Sequence, residues 1–177
     1  MRALIVYESM FGNTRDVAEA IAKGLGEHIR MHADIVEVGV APAQPPDDVD
    51  LLVVGGPTHA MGLTRPKTRA DAADKTTEQL VSRADGVREW LAALPRTERS
   101  CGAAAFDTRI DARWMPGSAA HGIAKRLRRK GYRLVTPAAS YFVDDMTGPL
   151  SVGELERARD WGRQLGHDMA AAAPSGS

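Results

Sequence analysis

Five short apolar runs punctuate the chain, at residues 3–7, 31–38, 51–54, 101–106 and 134–143, and helical spacing returns between most of them. Ala3-Leu4-Ile5-Val6-Tyr7 is apolar throughout, which suits a strand covered on both faces rather than one with a wet side. Strands of that kind alternating with helices fold as a parallel sheet with helices on both faces. The expected class is α/β, a three-layer doubly wound sandwich around a five-stranded parallel sheet. At 177 residues and 44% hydrophobic content the chain has material for one such core.

The spacing predicts a first helix over 14–26, with Val17, Ala18, Ile21, Ala22 and Leu25 on one side. A second is expected over 78–93, with Trp90 in the core, and a third over 117–130, ending at Gly131. Ser151, with Glu154 three residues on, has the spacing of a capping box for a last helix. Leu155, Ala158, Gly162 and Leu165 are expected to face the sheet. Pro137 puts the last strand at a sheet edge, because it has no N–H for the ladder. The polar stretch 58–77 has no convincing period and reads as a long loop. The domain is expected to span 1–168, with a flexible tail over 169–177.

Composition narrows the function classes. Lys and Arg balance Asp and Glu at 23 each, yet residues 1–60 carry 4 basic and 9 acidic side chains and residues 61–177 carry 19 and 14. The densest basic run is Lys125-Arg126-Leu127-Arg128-Arg129-Lys130. It reads as a contact for phosphate or an acidic partner, or as the wet face of a helix. The second is favoured, since Ala120, Ile123, Ala124 and Leu127 form a separate apolar stripe. No aromatic residues interleave with the run, so nucleic acid is not an expected partner. No apolar run approaches the roughly 18–20 residues of a membrane span, and no membrane partner is expected. Glu8 follows the first apolar run where a signal peptide would have a cleavage site, so a cytoplasmic protein is expected. The single cysteine, Cys101, excludes an internal disulfide framework and reads as a buried, inert thiol.

In such a sheet, ligands collect beyond the carboxyl ends of the strands. Three loops stand there: 8–14, 55–65 and 106–117. Ser9-Met10-Phe11-Gly12-Asn13-Thr14 joins the first strand to the first helix, and its backbone N–H groups would cradle an anion at the helix N-terminus. Ser9, Asn13 and Thr14 add side-chain donors, and Gly12 permits a close turn. The other reading, an ordinary capped helix start, is the weaker one, because Ser9, Gly12, Asn13 and Thr14 fall in one six-residue loop after a buried strand. Neither GxGxxG nor GxxxxGK[ST] occurs, which disfavours a Rossmann dinucleotide site and an ATP loop.

The opening, Leu4-Ile5-Val6-Tyr7-Glu8-Ser9-Met10-Phe11-Gly12-Asn13-Thr14, resembles the start of the flavodoxin-like family, and Leu52-Val53-Val54-Gly55-Gly56-Pro57-Thr58-His59 is similar to its third strand and first flavin loop. The resemblance, of the short-chain type, covers most of the chain. It implies sheet order 2-1-3-4-5, non-covalent FMN, and a phosphate held by Ser9, Met10, Phe11, Gly12, Asn13 and Thr14. Pro57, Thr58, His59, Ala60, Met61 and Gly62, with Asp107, Thr108 and Arg109, are implied to frame the ring. The family's electron carriers stack aromatic side chains on the flavin. The second and third loops here have none in the obvious place, and Trp114 is the substitute in reach. The chain is also neutral where many flavodoxins are acidic.

Within that frame His59 is a donor to the flavin or a solvent-facing histidine, and Met61 a soft contact on the ring or cover for the core. Arg109 either steadies an anionic reduced flavin or pairs with Asp107 or Asp111. No catalytic side chain and no metal are expected. The leading function is low-potential electron transfer between partner proteins, or to a small acceptor, by a monomer or weak homo-oligomer. One alternative is an FMN-dependent NAD(P)H:quinone-type oxidoreductase; another is a binding or regulatory module that has lost flavin.

Overall fold

The computed structural model describes residues 1–27, 31–59, 62–74, 81–82, 85–111 and 116–172. β1 (Arg2–Tyr7) is buried at five of its six positions and lies inside the sheet. β2 (His32–Glu37) pairs parallel on one side of it and β3 (Leu51–His59) on the other, so that Ile5 is level with Ile35 and Val53. β5 (Gly102–Ile110) pairs parallel with β3, and β6 (Arg133–Leu134) and β7 (Ala139–Val143) both pair parallel with β5. Counting β6 and β7 as one interrupted strand, the order is the expected 2-1-3-4-5.

The sheet has seven strands rather than five, for two local reasons. After the Val135 amide bonds Ala103 O, the chain leaves the ladder around Pro137 and returns at Ala139, so the last strand is not continuous over 134–143. Proline cannot donate there. In addition, β4 (Gly62–Leu63) folds back antiparallel on β3, with Thr58 opposite Leu63 and His59 opposite Gly62.

Alternate side chains of each strand enter two separate cores. Ala3, Ile5, Leu51, Val53, Ala104 and Phe106 pack against α1 (Asn13–Gly26) and α5 (Glu154–Ala172). Leu4, Val6, Leu52, Val54, Ala103 and Ala105 pack against α3 (Val87–Ala93) and α4 (Ala119–Arg129). Trp90 is in the second core, its indole N–H donating to Pro42 O at 3.0 Å. Cys101 is buried just before β5, and burial pushes its thiol pKa up.

Several helix expectations need correcting. Part of the stretch read as loop is helical, α2 (Pro66–Ala73). The second predicted helix begins at Val87, since residues 81–82 and 85–86 are not helical. At the last helix the capping box is absent. The Ser151 hydroxyl donates to Asp144 at 2.6 Å, and the Glu154 carboxylate accepts from the Phe142 amide at 2.7 Å. Leu155 is 46% exposed and does not face the sheet. α5 runs to Ala172, with Met169 buried.

The outer side of β7 is occupied by this start of α5. Arg157 donates to Ser140 O at 2.5 Å, Glu154 accepts from Phe142 N, and Ser151 N donates to Phe142 O at 2.9 Å. Glu154 and Arg157 also pair with each other at 2.5 Å. No described helix is long and apolar enough to cross a membrane.

Candidate functional site

A cleft of about 380 Å³ opens beyond the carboxyl ends of β1, β3 and β5. Its first wall is the loop from β1 into α1. Gly12 has φ of 94°, the left-handed region, where a Cβ is disfavoured. Its amide donates to Ser9 Oγ at 3.1 Å, closing the turn. The start of α1 has no side-chain cap. The first amides of a helix lack intrahelical acceptors, so they and the helix dipole present positive potential to the cleft. Asn13 Nδ2 donates to Thr147 O at 3.1 Å, and the Thr14 and Thr108 hydroxyls lie 2.7 Å apart.

A distant segment holds this loop from behind. Ser9 N donates to Ser82 Oγ at 2.9 Å, Ser82 N returns to Ser9 O at 2.8 Å, and Ser82 Oγ donates to Glu37 at 2.6 Å. Glu8, fully buried, ties the loop to the second wall. One carboxylate oxygen accepts from Thr64 Oγ1 at 2.5 Å and the other from Val87 N at 2.9 Å. Burial raises the Glu8 pKa, against the pull of those two donors and of Arg69. Arg69 itself donates to Thr64 Oγ1 at 3.1 Å and pairs with Glu89 at 3.2 Å.

The third wall is the end of β5. Thr108 and Arg109 line the cleft, with Arg109 Nη1 donating to Gly117 O at 2.7 Å. Asp107, fully buried, points to the other face of the sheet. One of its oxygens accepts from Thr58 Oγ1 at 2.8 Å, Ser118 Oγ at 2.6 Å and Ala120 N at 3.0 Å. Its other oxygen has no hydrogen-bond partner among the described residues. It therefore anchors the N-terminus of α4 and steers Thr58, and does not itself line the cleft.

The structure brings Ser9, Met10, Phe11, Asn13 and Thr14 together with Pro57, Thr58 and His59 around one opening. Gly12 shapes the loop, and Gly62 closes the hairpin opposite His59. Ala60, Met61 and Trp114 lie outside the described residues. Sequence reasoning missed Thr68, Asp71 and Ala72 of α2, and Ile110, Val143 and Met146 at the far end. The signal for α2 was Pro66 at a first helical position with Thr68 two residues on, whose hydroxyl accepts from Arg65 N at 2.8 Å. Phe11 is the only aromatic lining the cleft among the described residues. No group of three His, Cys, Asp or Glu among them is placed to hold a metal.

Comparison with known proteins agrees with this geometry. The solved structure of a flavodoxin from the domain Archaea has a TM-score of 0.66 at 19% identity, over 96% of this chain and 99% of that one. Oxidised flavodoxin 1 from Bacillus cereus has a TM-score of 0.65 at 18% identity, over 97% and 99%. The Flv1 flavodiiron core from Synechocystis sp. PCC6803 has 0.60 at 15% identity, over 97% of this chain but 36% of that one. At these identities the likeness is one of fold. No curated protein matches the sequence. The family model for flavodoxin matches residues 5–140, the stretch that runs from within β1 through the β1–α1 loop and the β3–β4 hairpin to the start of β7, and the chain belongs to the flavodoxin family.

Proposed function

We propose that the chain binds FMN non-covalently and carries electrons between partner proteins. The observation that carries this reading is the uncapped start of α1, set with Gly12, Ser9, Asn13 and Thr14 at one end of the cleft. All are neutral donors or backbone amides, the set a terminal phosphate dianion requires. The rest of the lining includes the apolar Pro57, Ala72, Ile110, Val143 and Met146, and suits a flat ring system. The donor set and the shape of the cleft thus fit FMN.

The residues divide the work of binding. Ser9 to Thr14 hold the phosphate, Thr58 and His59 border the ring from the hairpin, and Arg109 supplies a cation beside it. When bound, FMN supplies the one- and two-electron chemistry, and the polypeptide positions and tunes it. No side chain is needed as acid, base or nucleophile. A cytoplasmic location and a monomeric or weakly oligomeric state go with this reading.

The test is a titration of the apoprotein with FMN and with riboflavin, followed by visible absorption. Tight FMN binding, at least about tenfold stronger than riboflavin, is expected from a charge-assisted phosphate contact. No binding at micromolar FMN overturns the reading. The cleft is open to solvent beside Met146, which is 53% exposed, and has room for a small acceptor. That favours a second reading, an FMN-dependent NAD(P)H:quinone-type reductase. Rapid bleaching of the FMN complex by NAD(P)H alone marks the reductase, and its absence the carrier.

A further inference from the structure

Most arginines on the other surfaces of this protein have a carboxylate of their own. Arg2 pairs with Asp34 and Asp48, Arg15 with Asp16, Arg157 with Glu154, and Arg159 with Glu27. The face formed by α3 and α4 departs from that pattern. α4 carries Lys125, Arg126, Arg128 and Arg129 and no acidic residue. The single carboxylate of α3, Glu89, is already held by Arg69. None of the α4 cations, nor Arg88 of α3, forms an ion pair with any described residue.

Arg88 and Arg126 converge on β4. Arg88 donates to Thr64 O and Leu63 O, each at 2.9 Å, and Arg126 folds back to Gly122 O at 3.1 Å. Arg126 Nη1 and Leu63 lie close to Gly122, where a Cβ would be in ordinary van der Waals contact with both, at 3.4 Å and 3.5 Å. Burial, and then the like charges of Arg88 and Arg129, hold the Arg126 pKa below the usual guanidinium range. The helix dipole accounts for cations in the last turn of α4. It does not account for three guanidinium groups near one another, Arg88 and Arg126 of them half-buried, with no counterion among the described residues.

We propose that the α3–α4 face docks an acidic segment of a partner protein, with Arg88, Arg126 and Arg129 as its principal contacts. Guanidinium forks match carboxylates two bonds at a time, and elsewhere in this chain carboxylates fill that place. No Phe, Tyr or Trp is exposed on α3 or α4 to stack a base, which favours carboxylates over nucleic acid. Leu63, which Arg88 grips, is paired with Thr58 on the cleft wall, so the docked segment lies directly behind the hairpin. The proposal rests on the carrier reading for what the partner does, not for the docking itself.

The test uses a short fluorescein-labelled poly-glutamate peptide and fluorescence anisotropy, on the full chain with and without FMN. Binding is expected at low salt, weakening about tenfold between roughly 0.02 and 0.2 M as the screening length shortens. Arg126→Gln with Arg129→Gln is expected to weaken it about tenfold, and Lys125→Gln with Arg128→Gln less, while Lys23→Gln with Lys67→Gln on α1 and α2 changes it less than about twofold. A common loss in all three double variants, or no loss in the first, overturns the proposal. So does tighter binding of a single-stranded oligonucleotide of equal length. Peptide binding that survives when no flavin binds keeps the docking face and removes the carrier; the converse result keeps the carrier and removes the face.

Discussion

The hydroxyls of Thr14 and Thr108, 2.7 Å apart, join the first turn of α1 to the end of β5 beneath the cleft. Both residues are nearly excluded from solvent, at 2% and 5% exposure, so neither hydroxyl has water as a ready substitute. Thr108→Val leaves the Thr14 hydroxyl buried and unpaired, a cost of about 1–3 kcal/mol. The double variant with Thr14→Val is expected to lose less than the two single changes added together. Urea denaturation of the four proteins measures the coupling, and strict additivity would show that the hydroxyls do not interact.

Gly12 and Gly26 bound the same helix region and should respond oppositely to alanine. At Gly12, φ of 94° makes any Cβ strained, at about 1–2 kcal/mol. At Gly26 nothing lies within 4 Å of a new Cβ, and alanine is expected to be neutral or to stabilise by about 0.5–1 kcal/mol. Thermal midpoints compare them. The Gly12 variant should also weaken FMN, because it displaces the loop that presents the amides.

Three donors converge on one oxygen of Asp107. Asp107→Ala strands the Thr58 hydroxyl, the Ser118 hydroxyl and the Ala120 amide, and is expected to cost about 2–4 kcal/mol. Asp107→Asn retains one acceptor oxygen and should cost less than half as much. Equal losses in the two variants, read by urea midpoint, would mean that the side chain only fills space.

Glu8 gives a pH signature of definite sign. Its folded pKa is raised, chiefly by burial, so the folded state holds the proton more tightly than the unfolded chain. Stability from this group is fully present below the unfolded carboxylate range and declines as pH rises toward the raised folded pKa. Glu8→Gln cannot ionise, so its stability relative to wild type should improve over that window. Parallel pH–stability curves for the two proteins would remove the assignment. Arg69 and Glu89 remain in both, and their contributions cancel in the comparison.

What the sequence made legible follows from where the information is local. Ala3 to Tyr7 and Leu51 to Val54 are apolar at every position, and α1 repeats its apolar residues at helical spacing, so these elements needed no partner to be read. α2 was hidden because only Ala72 of its eight residues is buried, leaving no stripe to detect. Strand alternation was available for Asp107, which shares parity with Ala103 and Ala105 and so faces α4 rather than the cleft. In the sequence Glu8 is only the first polar residue after an apolar run. Its burial depends on Thr64 and Val87, more than fifty residues away along the chain, and no local pattern announces that. Val143 and Met146 line the same cleft as the β1–α1 loop for the same non-local reason.

The treatment of β7 has a consequence for how copies of this protein can meet. An open sheet is vulnerable to strand addition, in which a neighbour's backbone zips onto unpaired N–H and C=O groups and seeds aggregation. Here the outward groups at Ser140 and Phe142 are already taken by Arg157, Glu154 and Ser151, and Pro137 interrupts the stretch before them. At the opposite margin, β2 bears His32, Asp34 and Glu37 among six residues, charge that a second sheet would have to bury. Growth by sheet extension is opposed at β7 by groups already bonded and at β2 by charge, which favours contact between molecules through helices and loops, where it leaves the hydrogen-bonded framework of each copy intact.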